Sequence, residues 1–176
     1  MTKKATTGGW PDEPVPAVEY DKDVRWIMSL IPHRYPFLLV DRVVEIERRK
    51  RIVATKNVTF NEEVLQGHFP DHPVYPGVLV IEGMAQVGSI LLMRELDEQA
   101  RRHKLLYFAA LDRARFRRPV VPGDQIRYEI EVLRWRPGSA GSKLAAKALV
   151  DGQVAAQARI SSVMVDRQQP VAKNRP

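Results

Sequence analysis

The chain has 176 residues, of which 44% are hydrophobic and 28% charged, a size and composition that suit one folded domain with a substantial core. It has no cysteine, which excludes disulfide bonds, thiolate metal ligands and a cysteine nucleophile. The formal charge of +7 favours an anionic partner, but no zinc-finger, RNP or helix-turn-helix signature points to nucleic acid.

The two ends of the chain differ in composition from its middle. Gly, Pro and charged residues dominate residues 1–19 and 167–176, so we predict a disordered extension, a single domain over residues 20–166 and a flexible tail. No run reaches the roughly 18 apolar residues of a membrane span, and the extension lacks the apolar stretch of a signal peptide. We therefore expect a cytoplasmic protein that does not bind membranes.

The first part of the domain predicts one short helix and two strands. Val24–Leu30 has an amphipathic pattern that ends before Pro32. Two apolar segments, Phe37–Ile46 and Arg51–Phe60, follow as strand candidates. The basic residues between them indicate a turn.

The middle of the chain predicts one long helix, from Gly77 to about Arg102. Pro76 precedes it and basic residues close it, as the helix dipole prefers. The helix is apolar on most sides, which is typical of a core helix. Ala85 and Gly88 lie on one side, where small residues allow close approach to a sheet.

The rest of the chain is β-rich. The strand candidates are Leu105–Phe116, Gln125–Trp135, Ser142–Val150 and Val154–Val165. Asp151 and Gly152 form a two-residue hairpin signal between the last two. The expected fold class is α+β, an antiparallel sheet wrapped around one long central helix.

The candidate site combines His68 and Glu82. His68 lies in a loop punctuated by Gly and Pro, just before the long helix. Glu82 lies within the apolar run from Val78 to Met93, where an ionised carboxylate is costly unless it is paired or functional. A histidine with a neutral form near pH 7 and a carboxyl group in apolar surroundings are the parts of an acid–base site.

Structural roles are the alternative for each of these residues taken alone. His68 could bond backbone carbonyls as an ordinary loop histidine. Glu82 could pair with an arginine or with Gln86 one turn further along. His33 and His72 are assigned structural roles. No histidine pair has metal-ligand spacing, so we expect no metal site.

Five motifs in order give a resemblance to a known family. They are Pro32–Arg42, Gly67–Pro70, Pro76–Leu79, Glu82–Gln86 and Phe116–Asp124. Together they resemble the β-hydroxyacyl-[acyl-carrier-protein] dehydratases of bacterial type II fatty acid synthesis, with the FabZ-type branch most similar. The resemblance implies the hot-dog fold, in a dimer that is often assembled into a trimer of dimers.

The resemblance also implies a reaction and roles. The reaction is dehydration of a (3R)-hydroxyacyl thioester to the trans-2-enoyl thioester, without a metal or organic cofactor. His68 would be the base, Glu82 the acid, and the Gly77 amide a donor to the thioester carbonyl. Phe69 and Pro70 would contact the substrate.

The implied partner is acyl carrier protein, a small acidic protein that carries the substrate on phosphopantetheine. Arg115, Arg117 and Arg118 are the candidate contacts. Two other functions remain: a hot-dog acyl thioesterase, or a non-catalytic module that binds the acyl carrier. The presence of both His68 and Glu82 favours the dehydratase over either of them.

Overall fold

The computed structural model describes residues 18–135 and 141–167. The disordered extension predicted for residues 1–19 and the tail predicted for residues 167–176 lie almost wholly outside these ranges. Glu19 already belongs to the first strand. Among the described residues, no helix is long and apolar enough to cross a membrane.

The described residues form one antiparallel sheet with a central helix packed against it, which confirms the predicted fold class. The strands are β1 Glu19–Lys22, β2 Arg42–Glu47, β3 Arg51–Asn57, β4 Lys104–Phe116, β5 Gln125–Trp135, β6 Gly141–Val150 and β7 Gln153–Asp166. The helices are α1 Val24–Leu30, α2 Gly77–Met93 and α3 Glu98–His103, with a 3₁₀ turn at Glu63–Gln66. The order across the sheet is β1-β2-β3-β5-β6-β7-β4.

Helix α2 lies directly on the sheet because two of its glycines leave room for side chains from the strands. A Cβ atom at Gly83 would overlap the hydroxyl of Tyr128 on β5, and one at Gly88 would lie 2.5 Å from Leu144 on β6. The close approach predicted at Gly88 is therefore confirmed. Burying the apolar faces of α2 and the sheet against each other supplies most of the favourable energy of this core.

The predicted length of the central helix is wrong. Helix α2 ends at Met93, and the separate helix α3 begins at Glu98. The break has a local cause, because the Asp97 side chain accepts a hydrogen bond from the Ala100 amide and caps α3. Glu95 lies between the two helices, and its side chain accepts a hydrogen bond from Arg48.

The predicted strand Phe37–Ile46 is also too long, because β2 begins only at Arg42. The Phe37 carbonyl and the Leu39 amide bond the side chain of Gln86 on α2 rather than a neighbouring strand. The β-rich second half agrees closely with expectation. At its hairpin, Asp151 and Gly152 both have positive φ, 51° and 74°, as a type I′ turn requires.

Strand β4 is the last strand at one edge of the sheet, and its second part is uncovered. All ten residues from Tyr107 to Phe116 are exposed. Four of them are large and apolar: Tyr107, Phe108, Leu111 and Phe116. A long edge strand with apolar side chains is typical of a surface that pairs with another chain.

Candidate active site

His68 is held in a closed loop that fixes both its backbone and its ring. Its amide donates to the Val64 carbonyl at 3.1 Å, and its carbonyl accepts from the Val74 amide at 3.0 Å. The ring Nδ1 lies 2.7 Å from the Val74 carbonyl oxygen. Because a carbonyl only accepts, Nδ1 carries the proton and Nε2 keeps a free lone pair in the neutral ring. The loop thus leaves Nε2 as the ring nitrogen with an available lone pair.

His68 and the start of α2 line one cavity of about 500 Å³. Gly77, the first residue of α2, lies against the ring of Phe116, only 2.6 Å from where its own Cβ would be. Pro76 precedes it and provides no side-chain cap. The positive end of the helix dipole therefore points into the cavity that contains His68.

Glu82 lies one turn further along α2, with its side chain 19% exposed. Its Oε1 accepts a hydrogen bond of 2.9 Å from Nε2 of Gln86, the contact expected from their spacing. Within the described ranges, no arginine forms an ion pair with Glu82. The hydrogen-bond donor to this carboxyl group is therefore a neutral amide.

His33 is the residue near this carboxyl group that the sequence did not reveal. Its Nε2 lies 3.6 Å from Oε1 of Glu82. Burial lowers the pKa of His33, an effect that outweighs the opposing attraction of Glu82, and the Arg34 guanidinium lowers it further. His33 belongs to the motif Pro32–Arg42, so the sequence marks the residue. The motif does not indicate that His33 contacts the central helix.

His68 and Glu82 open into different cavities of the single chain. Glu82 lines a second cavity of about 310 Å³, together with Ile81 and the uncovered β4 residues Phe108 and Leu111. Val78, whose side chain is 70% exposed, lines both cavities. The two cavities therefore meet at a surface that this chain does not cover.

The other predicted substrate contacts lie at the margin of the site. The Phe69 ring stacks on the His68 ring at 4.3 Å between centroids and is 55% exposed. Pro70 is exposed beside it. Among the described residues, neither lines the cavity of His68, whereas Gly77 does.

The three arginines proposed for partner binding divide into two groups. Arg117 and Arg118 line the cavity of His68. Arg118 also lies 3.9 Å from the Asp151 carboxylate. Arg115 is exposed on β4, beside Gln157 of β7, and does not line the cavity.

An antiparallel sheet wrapped around one central helix, with polar groups at the start of that helix, defines a hot-dog protein. The family model of the FabA-like domain matches residues 31–159. The chain therefore belongs to the FabA-like family, and its resemblance to the FabZ-type branch is confirmed by sequence relatives.

One such relative is the 3-hydroxyacyl-[acyl-carrier-protein] dehydratase FabZ of Koribacter versatilis, 49% identical over 145 residues, which are 82% of this chain and 90% of the relative. Solved structures with low identity share the fold. The dehydratase heterocomplex ApeI:P from Xenorhabdus doucetiae aligns with a TM-score of 0.67 at 16% identity, over 80% of this chain and 91% of that chain. A hot-dog-like protein from Thermanaerovibrio acidaminovorans aligns with a TM-score of 0.54 at 18% identity, over 66% and 82%.

Proposed function

We propose that the chain dehydrates (3R)-hydroxyacyl-[acyl-carrier-protein] to trans-2-enoyl-[acyl-carrier-protein] in fatty acid elongation. Relatives named for this activity, about half identical over most of both chains, support the reaction. The observation that carries the residue assignment is the ring of His68. Its Nδ1 is engaged by Val74, so the free Nε2 is available as the base.

Each bond change in the reaction has a candidate group. Nε2 of His68 removes a proton from C2, next to the thioester carbonyl. Negative charge that develops on the carbonyl oxygen is stabilised by the Gly77 amide and the positive end of α2. Glu82 gives its proton to the C3 hydroxyl, which leaves as water while the C2–C3 double bond forms. Positioned acid–base catalysis of this kind contributes roughly 10²–10⁴-fold.

The active site requires two copies of the chain in this proposal. His68 and Glu82 line separate cavities that open beside the exposed Val78 and the uncovered edge of β4. A second copy related by two-fold symmetry would cover that surface and bring His68 of one protomer to face Glu82 of the partner subunit. Covering these apolar side chains would also drive dimer formation.

Hybrid dimers test the shared site. His68→Ala and Glu82→Gln are each expected to lower kcat by about 10²-fold or more. After subunit exchange, a 1:1 mixture should recover about one quarter of wild-type activity, since half of the dimers are hybrids and each has one intact site.

The matched control mixes His68→Ala with the double variant His68→Ala/Glu82→Gln, which contains no intact His68. No recovery is expected there. If exchange is verified by mass and the test mixture stays inactive, the site is not shared between subunits.

We also propose that Arg115, Arg117 and Arg118 dock acyl carrier protein. Two of the three line the cavity of His68 and the third is exposed on the adjoining strand, so an acidic protein bound there would deliver its prosthetic group to the base. Changing all three to glutamate should raise KM for the carrier-linked substrate about tenfold or more, since like charges then oppose docking.

The control for docking is a pantetheine thioester, which has neither the carrier protein nor a phosphate. Its turnover should change little in the triple variant. Arg102 is exposed on α3, and Arg102→Glu should change the turnover of neither substrate. Equal loss with both substrates would assign the three arginines to the reaction or to the fold.

A further inference from the structure

The carboxyl group of Glu82 is held asymmetrically. Gln86 donates to Oε1 at 2.9 Å, and His33 approaches the same oxygen at 3.6 Å. Within the described part of the chain, neither contact involves Oε2. The hydrogen bond from Gln86 and the approach of His33, both made by described residues, therefore fall on Oε1.

The orientation of the Gln86 amide is fixed by the loop that it bonds. Its side chain is buried, and its Oε1 accepts from the Leu39 amide at 2.9 Å. Its Nε2 donates to the Phe37 carbonyl at 2.8 Å and to Glu82. In a flipped amide, Nε2 would face the Leu39 amide, which is also a donor, and the amide oxygen would face the Phe37 carbonyl, which is also an acceptor. Nε2 therefore always faces Oε1 of Glu82.

His33 lies in the same loop, and Arg34 fixes the backbone there. The Arg34 guanidinium donates to the carbonyls of Met28, Ile31 and His33 at 2.7–3.0 Å. Nδ1 of the His33 ring is buried and has no hydrogen-bond partner among the described residues. Because a buried N–H without an acceptor is rarer than an unused lone pair, the ring proton belongs on Nε2, the atom nearest Glu82.

The groups around His33 keep the ring neutral. Burial and the neighbouring Arg34 both lower the pKa of His33. Among the described residues, the other titratable groups facing it are Glu82 from α2 and Tyr107 from β4, which line the same small cavity. A neutral ring with its N–H toward Oε1 is therefore a second uncharged donor beside the carboxyl group of Glu82.

We propose that His33 is a positioning residue for Glu82: with Gln86, it places two donors beside Oε1, so that Oε2 carries the proton given to the substrate. This inference rests on the proposed role of Glu82 as the acid. At 3.6 Å the His33 contact is longer than a hydrogen bond, so the ring acts through its N–H dipole. In this arrangement, loss of His33 removes one of the two donors and weakens the preference for a proton on Oε2.

The test compares His33→Leu with His33→Gln. Leucine removes the donor, whereas glutamine keeps a side-chain N–H near the position of Nε2 and cannot ionise. For His33→Leu we expect kcat to fall about tenfold with KM within about twofold. The alkaline limb of the kcat profile should move to higher pH, since loss of a donor beside Oε1 disfavours the ionised form. His33→Gln should restore both kcat and the limb.

His103→Leu, on the exposed side of α3, is the matched control and should leave the profile unchanged. If His33→Leu and His33→Gln have the same kcat and the same alkaline limb, the ring only packs in the loop and the inference is wrong. Failure of the proposed acid itself gives a different result, because Glu82→Gln would then keep near wild-type kcat. If Glu82 is the acid, His33→Leu should cause no further loss in the Glu82→Gln background.

Discussion

Two glutamates at opposite ends of α2 are held in opposite ways. Glu95, just after the helix, accepts hydrogen bonds of 2.7–3.0 Å from Arg48 and Arg49, with its side chain 4% exposed. Glu82, near the start, has a neutral amide and a neutral imidazole beside it. Charge-assisted hydrogen bonds from two guanidinium groups let the Glu95 carboxylate join parts of the fold, whereas the described donors beside Glu82 are uncharged.

The sharpest test of this comparison is the same substitution at both ends. Glu82→Gln should lower kcat by about 10²-fold or more with little change in stability, because glutamine keeps an acceptor for Gln86. Glu95→Gln should keep most of kcat but lose roughly 2–3 kcal/mol of stability, because Arg48 and Arg49 lose an anionic partner. Urea unfolding and kcat on the same preparations measure both effects. A folded Glu95→Gln variant as inactive as Glu82→Gln would remove the distinction.

A smaller effect on stability and kcat is expected at Gly83, on the side of α2 that faces the sheet. Gly83→Ala places a methyl group against the Tyr128 hydroxyl and should cost roughly 1–3 kcal/mol. It should also lower kcat, since moving α2 away from the sheet moves the adjacent Glu82. Tyr128→Phe alone should be nearly neutral, because the buried hydroxyl has no hydrogen-bond partner among the described residues.

The double variant Gly83→Ala/Tyr128→Phe should recover part of both the stability and kcat. Removing the hydroxyl oxygen makes room for the new methyl group, so the two substitutions are not additive. Additive losses would mean that α2 accommodates the methyl group elsewhere, and that its close contact with β5 does not hold Glu82 in place.

The two ends of α2 also show what a sequence can reveal. The spacing of Glu82 and Gln86 predicts their contact, because it depends only on helix geometry. The strand β5 has the predicted bounds because its alternating pattern ends at turn residues. The cap at Asp97 is a local signal that the apolar pattern of the long helix obscured.

Contacts between distant segments could not be predicted in the same way. His33 reaches Glu82 across 49 positions only because the apolar run Phe37–Leu39 bonds Gln86 instead of entering a strand. Periodicity records which face of an element is buried, not which loop crosses it. The separation of His68 and Glu82 into two cavities likewise depends on how the edge strand β4 lies beside α2.

The smallest expected effect is on stability at acid pH. It again distinguishes the surroundings of Glu82, which include His33, from those of Glu95. Burial lowers the pKa of His33 below its ordinary value of 6.5, so the unfolded chain binds more protons than the folded chain as pH falls below 6.5. Wild-type stability contributed by the neutral ring is complete above that pH and is lost as pH falls toward the folded pKa.

The variant His33→Gln has no such group, so its free energy of unfolding should fall less between pH 7.5 and pH 5 than that of the wild type, measured in urea at one protein concentration. The difference should be smaller than the stability lost in Glu95→Gln. By contrast, the loss in Glu95→Gln should be nearly the same at both pH values, because Arg48 and Arg49 remain charged throughout.

An equal fall for His33→Gln and the wild type would mean that the ring accepts a proton in the folded protein as readily as in the unfolded chain. Glu82 would then have a cation beside it at low pH, and the contrast with Glu95 would hold only near neutral pH.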